Sequence, residues 1–204
     1  MVHEDSFIGL GGTKIHYISS GEPVHGTILL LHGMSFSSSN WVDIGAMEKF
    51  SSYGYRVVAV DYPGYGRTEP SMSYDPGKAP DAYSSFVSNL IEEMQLDRVI
   101  ITGPSMGGGI ALAAMTANVK GIVAGILIAP AYGNVENLLS RVEVPVLIIW
   151  GKADPVIPLS RGWKLHDLIA GSKLVTVENA GHAVYLDKPE RFFTIVRDFL
   201  ESIR

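Results

Sequence analysis

Val99-Ile100-Ile101-Thr102-Gly103-Pro104-Ser105-Met106-Gly107-Gly108-Gly109 is the stretch on which the fold turns. An apolar, β-branched run stops at Gly103-Pro104. The chain then resumes as Ile110-Ala111-Leu112-Ala113-Ala114, a run that favours helix. A buried strand therefore passes through one tight turn into a helix, expected over Ser105–Asn118. Outward from this unit the same alternation repeats. Thr27–His32, Arg56–Val60, Gly121–Ala129, Val144–Gly151 and Lys173–Val177 join Val99–Gly103 as near-continuous apolar runs, the pattern of strands covered on both faces of a parallel sheet. Between them the spacing predicts helices at Trp41–Tyr53, Asp81–Gln95, Leu159–Ala170 and Pro189–Arg204. The last carries Phe192, Ile195, Val196, Phe199, Leu200 and Ile203 on one 3.6-residue stripe. Phe7–Leu10 and Lys14–Ile18 flank Gly11-Gly12 and read as an entry hairpin. The expectation is an α/β fold: a mostly parallel central sheet with helices on both faces, in one domain spanning residues 1–204.

Composition narrows the function. Hydrophobic residues make up 47% of the 204 and charged ones 18%, enough for a sizeable core. The net charge of −5 argues against nucleic acid, whose phosphates call for a basic surface. The chain has no cysteine, which excludes disulfides, thiolate metal sites and a cysteine nucleophile. Its histidines, at 3, 16, 25, 32, 166 and 182, fall in no metal-ligand spacing, so no metal or organic cofactor is expected. The start, Met1-Val2-His3-Glu4-Asp5, has neither a basic region nor an apolar one, and the longest apolar stretches are too short to span a bilayer. A cytoplasmic protein without membrane contact is expected.

Gly103-Pro104-Ser105-Met106-Gly107 has the G-x-S-x-G pattern of a nucleophile elbow, in which a strained turn lifts a serine hydroxyl above the sheet. A serine hydroxyl is a poor nucleophile at neutral pH and needs an adjacent base. His182, in the loop after the strand Lys173–Val177, is the candidate. Its rival His32 ends an early strand and precedes the elbow. The acid that orients the base is expected from the end of an intermediate strand, which selects Asp154 after Val144–Gly151. Asp61, in Asp61-Tyr62-Pro63-Gly64-Tyr65-Gly66, reads as a loop brace, and Asp187 as an N-cap for the closing helix. An oxyanion needs two backbone donors, assigned to Met106, after the serine, and Met34, in the loop His32-Gly33-Met34. Phe36 is the alternative to Met34. Phe36, Tyr132, Val156 and Val184 are candidate walls for a substrate.

These motifs resemble the α/β-hydrolase superfamily over essentially the whole chain. Leu31-His32-Gly33, the Asp61–Gly66 segment, the elbow, Gly151-Lys152-Ala153-Asp154-Pro155 and Gly181-His182 occur in that family's order, Ser…Asp…His. A closer likeness is to the abhydrolase-domain protein 14 family. It is carried by Phe36-Ser37-Ser38 and Trp41 after His32-Gly33, by Pro104, and by Tyr185-Leu186-Asp187-Lys188-Pro189-Glu190. Gly107 departs from it, since serine is expected there. The resemblance implies an α/β-hydrolase fold and an esterase-like serine hydrolase that takes small acyl esters. The closer group adds an alternative acceptor, with acetyl passed from lysine to coenzyme A; the same triad could also use peroxide. Dehalogenases and epoxide hydrolases are disfavoured, because they need a carboxylate where Ser105 stands.

Many relatives insert a helical cap before the acid-bearing strand. Here only Tyr132–Glu143 is available, too short for a cap domain, and Thr68–Pro80 reads as a mobile surface loop. An open site that grips long acyl chains poorly is therefore expected.

Overall fold

A computed structural model describes residues 3–204; Met1 and Val2, part of the start read above, lie outside them. Eight strands form one sheet: β1 (Glu4–Leu10), β2 (Thr13–Ser20), β3 (Thr27–Leu31), β4 (Arg56–Val60), β5 (Val99–Pro104), β6 (Ile122–Ile128), β7 (Val146–Gly151) and β8 (Lys173–Val177), in the order β1-β2-β4-β3-β5-β6-β7-β8. The six strands from β3 onward run parallel, and the β1–β2 hairpin adds to β4 antiparallel. The hairpin is longer in both arms than the sequence expectation.

Among the described residues seven helices cover the sheet: α1 (Ser39–Asp43), α2 (Ala46–Ser52), α3 (Ala82–Glu93), α4 (Ser105–Thr116), α5 (Leu159–Leu168), α6 (Val184–Asp187) and α7 (Pro189–Ser202). The two-residue period of the strands divides the core. Leu29, Val58, Ile101, Leu127 and Ile148 face α3, α4 and α5, whereas Ile28, Leu30, Val57, Ile100, Ile126 and Leu147 face α1, α2 and α7. The stripe on α7 is buried as its spacing required, with Phe193 added, except that Ile203 falls at the C-cap and is only half-buried.

The structure changes three expectations. The helix read over Trp41–Tyr53 is two helices, because Gly45 adopts a left-handed φ of +72° that stops one and caps the next. A short helix, α6, follows His182 where none was expected. The Thr68–Pro80 segment is largely exposed, as a surface loop should be, but is anchored at a short 3-10 turn that buries Tyr74, whose hydroxyl accepts from Asn89 Nδ2 at 3.0 Å and whose ring meets the edge of Phe86. Between β6 and β7 the chain makes one 3-10 stretch, Gly133–Arg141, that packs on α4 and α5.

The approach of α4 to the sheet is set by its glycines. A Cβ on Gly107 would lie 2.7 Å from the His32 carbonyl oxygen, and one on Gly108 would lie 2.6 Å from Pro130 Cβ. Gly107→Ala therefore should lower unfolding free energy by about 1–3 kcal/mol, the usual range for overpacking. Gly9→Ala, with nothing within 4 Å of the added Cβ, should change it by less than about 0.5 kcal/mol. Denaturant titration of both variants decides; equal stabilities would show that the helix shifts at no cost.

Candidate active site

The turn from β5 into α4 places Ser105 at the carboxyl edge of the sheet. Pro104 keeps an extended backbone, and Ser105 then takes φ +49°, a left-handed conformation costing an L-residue roughly 1–2 kcal/mol. The surroundings hold it there, with the Ala131 N–H donating to the Ser105 carbonyl at 2.9 Å. Ser105 is half-buried, and its hydroxyl has no hydrogen-bond partner among the described residues.

Asp154 lies in the turn after β7. Its Oδ1 accepts the N–H groups of Val156 at 2.7 Å and Ile157 at 2.9 Å, and its Oδ2 accepts from His182 Nδ1 at 2.8 Å. The Asp154 side chain is fully buried, while that of His182 retains 21% exposure. Binding through Nδ1 fixes the ring and leaves Nε2 as the free nitrogen. The loop carrying His182 folds back across the end of β7, where Gly151 lies directly beneath the Ala180 and Gly181 carbonyls. Asp187, expected to cap α7, instead accepts the Gly181 N–H at 2.6 Å and braces that loop. The α7 N-terminus has no side-chain cap, because Asp187 closes α6 and Lys188 takes the capping position. Asp154 and His182 are thus joined, whereas no hydrogen bond joins Ser105 to His182 among the described residues.

The rivals are occupied elsewhere. His32 is buried, its Nδ1 donating to the Gly33 carbonyl at 2.8 Å and its Nε2 accepting from Tyr62 N–H at 3.0 Å. Both ring nitrogens are satisfied by the neutral form. Burial holds its pKa below the ordinary value, partly opposed by the Gly33 bond and the Asp61 charge. Asp61 binds the N–H groups of Ser38 at 2.6 Å and Arg67 at 2.8 Å and His16 Nδ1 at 2.8 Å. Burial pushes its pKa up, but the Arg67, Ser38 and His16 hydrogen bonds outweigh this and leave it lowered. Asp61 is the loop brace its segment suggested. His16, Ser38 and Arg67 carry no motif that could have announced their part.

The loop after β3 turns tightly, with Phe36 N–H donating to the Gly33 carbonyl at 3.0 Å. That uses the alternative donor, Phe36. Met34 N–H has no acceptor among the described residues, and Met106 N–H, in the first turn of α4, has no earlier turn to bond. A Cβ on Gly33 would stand 3.9 Å from Pro104, so this loop lies beside the elbow.

Met34, Ser105 and Met106 share a cavity of about 280 Å³ with Tyr83, Tyr132 and Val135. Of the four expected wall residues only Tyr132 lines it. Phe36 and Val156 stand outside it, 37% and 65% exposed, and Val184 is fully buried in the core beneath the sheet, because α6 turns that side chain inward. Tyr83, Ala113 and Val135 were missed, since small or aromatic residues on a helix face give a packing signal indistinguishable from core. Among the described residues no group of three or more His, Asp or Glu side chains is placed to hold a metal ion.

The alpha/beta hydrolase family model matches residues 28–141, and a TAP-like protein model matches residues 129–203. The rat protein ABHD14B, whose name proposes protein-lysine deacylase activity, is 32% identical over 187 residues, 90% of this chain and 87% of its own. The chain belongs to the alpha/beta hydrolase family. Among solved structures of such hydrolases, a predicted CIB-like hydrolase from Thermoplasma acidophilum matches with a TM-score of 0.93 at 31% identity, covering 99% of each chain. Carboxylesterase CesB of Bacillus subtilis matches at 0.86 with 19% identity, over 98% of this chain and 92% of that one, a likeness of fold.

In this alpha/beta hydrolase His32 gives a signature in stability. The folded ring binds a proton less readily than the unfolded one, whose pKa is near 6.5. Its contribution is whole above that value and is lost as pH falls below it toward the lowered folded pKa. The denaturation midpoint should therefore drop between pH 7 and 5.5, and His32→Asn should flatten that slope. The same slope in both proteins would assign it to another group.

Proposed function

We propose that the chain is a serine hydrolase that cleaves small carboxylic esters through an acyl-Ser105 intermediate. The observation that carries this reading is the 2.8 Å bond from His182 Nδ1 to the buried Asp154 carboxylate, which leaves Nε2 free at the strand ends from which Ser105 rises. His182 Nε2 removes the Ser105 proton as Oγ attacks the ester carbonyl carbon, and the carbonyl electron pair moves onto oxygen. The N–H groups of Met34 and Met106 receive that oxyanion. On collapse the bond to the alcohol breaks, and the alkoxide takes the proton from His182. Water then repeats the sequence on the acyl-serine, with His182 again as base, and releases the acid. The serine–histidine bond forms on substrate binding, since such bonds are often long or unformed in free enzymes. Asp154 keeps the Nδ1–H tautomer and stabilises the imidazolium.

A second reading changes the acceptor. The name of the rat relative supports an acyl group carried on lysine, and in this reading coenzyme A is the receiver in place of water. A panel of esters and acetyl-lysine peptides, each with and without coenzyme A, separates the two by whether acyl-coenzyme A forms.

Ser105→Ala should cut ester turnover by about 10⁴-fold or more, and Asp154→Asn by a comparable factor. A fluorophosphonate probe should label the unsubstituted protein and not the Ser105→Ala variant. Unchanged turnover in Ser105→Ala would overturn the assignment.

A further inference from the structure

We infer that the cavity beside Ser105 is a slot for a neutral, linear acyl chain of about eight carbons. The inference rests on the acyl-Ser105 reading and adds the acyl class to it.

Ser105, Gly109 and Ala113 lie four residues apart on α4 and all border the cavity, so they form one row along the helix. Eight residues of helix advance about 12 Å. A fully extended chain advances roughly 1.2 Å per bond, so a chain attached at Ser105 and running beside this row draws level with Ala113 after about ten bonds from the Ser105 Cα, the first two of them the serine's own. The volume of about 280 Å³ lies at the small end for ligand pockets, in keeping with one chain of that length.

The walls are mostly apolar. Across from α4 stand Tyr83, Ala131 and Val135, and among the described residues no Asp, Glu, Lys, Arg or His borders the cavity. Burial raises the pKa values of both lining tyrosines, Tyr83 and Tyr132, so both stay uncharged. The walls are also fixed. Tyr83 packs edge-on against Tyr62 with ring centres 5.4 Å apart, and Tyr132 donates to the Arg161 carbonyl at 2.8 Å beneath the Arg161 guanidinium. At Gly109 the Ala131 carbonyl leaves no room for a Cβ, so the slot passes beside this residue and not over it. No cationic side chain among the described lining residues offsets the desolvation of a carboxylate, so an acyl chain ending in a second carboxylate is disfavoured.

The experiment is a ladder of nitrophenyl esters from acetate to palmitate, with the half-ester of the eight-carbon dicarboxylic acid beside octanoate, run on the unsubstituted protein and on Ala113→Leu. Ala113 is half-exposed in the helix, and leucine is a good helix former, so folding is checked by circular dichroism and thermal melting. The slot predicts kcat/KM rising about two- to four-fold per methylene up to roughly eight carbons, then falling, with the dicarboxylic half-ester at least ten-fold below octanoate. In Ala113→Leu the optimum moves to four or fewer carbons, and the octanoate-to-acetate ratio falls at least ten-fold. A profile flat or declining from acetate, an optimum unmoved in Ala113→Leu, or equal rates on octanoate and the half-ester overturns the slot. Fluorophosphonate labelling of Ser105 run alongside separates the failures. Labelling with a flat ladder removes the slot alone, and absence of labelling removes the acyl-serine reading as well.

Discussion

The carboxyl edge of the sheet is organised by how closely the backbone of α4 approaches its neighbours. Gly103, Gly107 and Gly108 leave no room for side chains between the helix, the end of β3 and the turn after β6. Ten of the twelve residues of α4 are buried. A helix seated this deeply cannot relax outward, so the strand feeding it must turn within a single residue, and Ser105 takes up that turn with a left-handed backbone. The roughly 1–2 kcal/mol of backbone strain is offset by the burial of the helix it starts. Strain and burial are two sides of one constraint, and its product is a hydroxyl held clear of the strand ends with no hydrogen-bond partner among the described residues.

Two Asp–His pairs show how the same chemistry serves opposite ends. His16 meets Asp61 at 2.8 Å, as His182 meets Asp154 at 2.8 Å. On His16 the second ring nitrogen faces Asp5 and Arg67, and the ring is buried. Asp61 also ties the backbone at Ser38 to that at Arg67. Every polar atom of that pair is committed, so it fastens the loop after β3 to the loop after β4. Around Asp154 the commitment stops one atom short. The carboxylate is saturated by Val156, Ile157 and His182, while Nε2 of the imidazole is left open. A saturated pair makes a clamp, and a pair with one open nitrogen makes a candidate base.

The sequence disclosed what depends on period and on neighbouring residues. The parallel strands, α3, α4, α5 and α7 lie where apolar runs and 3.6-residue stripes put them, and the strand-to-turn-to-helix passage at Ser105 was readable from its glycines. Residues whose roles arise from contacts distant in the chain were not readable. The break at Gly45 has no apolar signature, because a glycine inside a helical stretch is silent until its φ is known. Asp187 resembled a cap by position, yet the Gly181 N–H reaches its carboxylate first. Val184 looked like a wall because it follows His182, but the unforeseen α6 turns it into the core. Tyr83 and Ala113 were invisible for the converse reason: their surroundings are apolar, and only the empty space beside them distinguishes a lining from a core.

That distinction bears on how selectivity can exist without a cap. With one 3-10 stretch between β6 and β7, no separate layer is available to close over a substrate, and recognition must come from the body of the fold. The small residues of α4 serve two directions at once. Gly107 and Gly108 face the end of β3 and the turn after β6 and set the depth of the helix, whereas Gly109 and Ala113 face Ala131 and the cavity. Enlarging the first pair would push the elbow off the sheet, and a Cβ on Gly109 would displace Ala131, which holds the Ser105 carbonyl; enlarging Ala113 would fill the space beside the elbow and leave it in place. Stability and acyl selectivity, on the proposed reading, therefore reside on one helix but at different residues, and selectivity could be altered by substitution at Ala113 without disturbing the turn that presents Ser105.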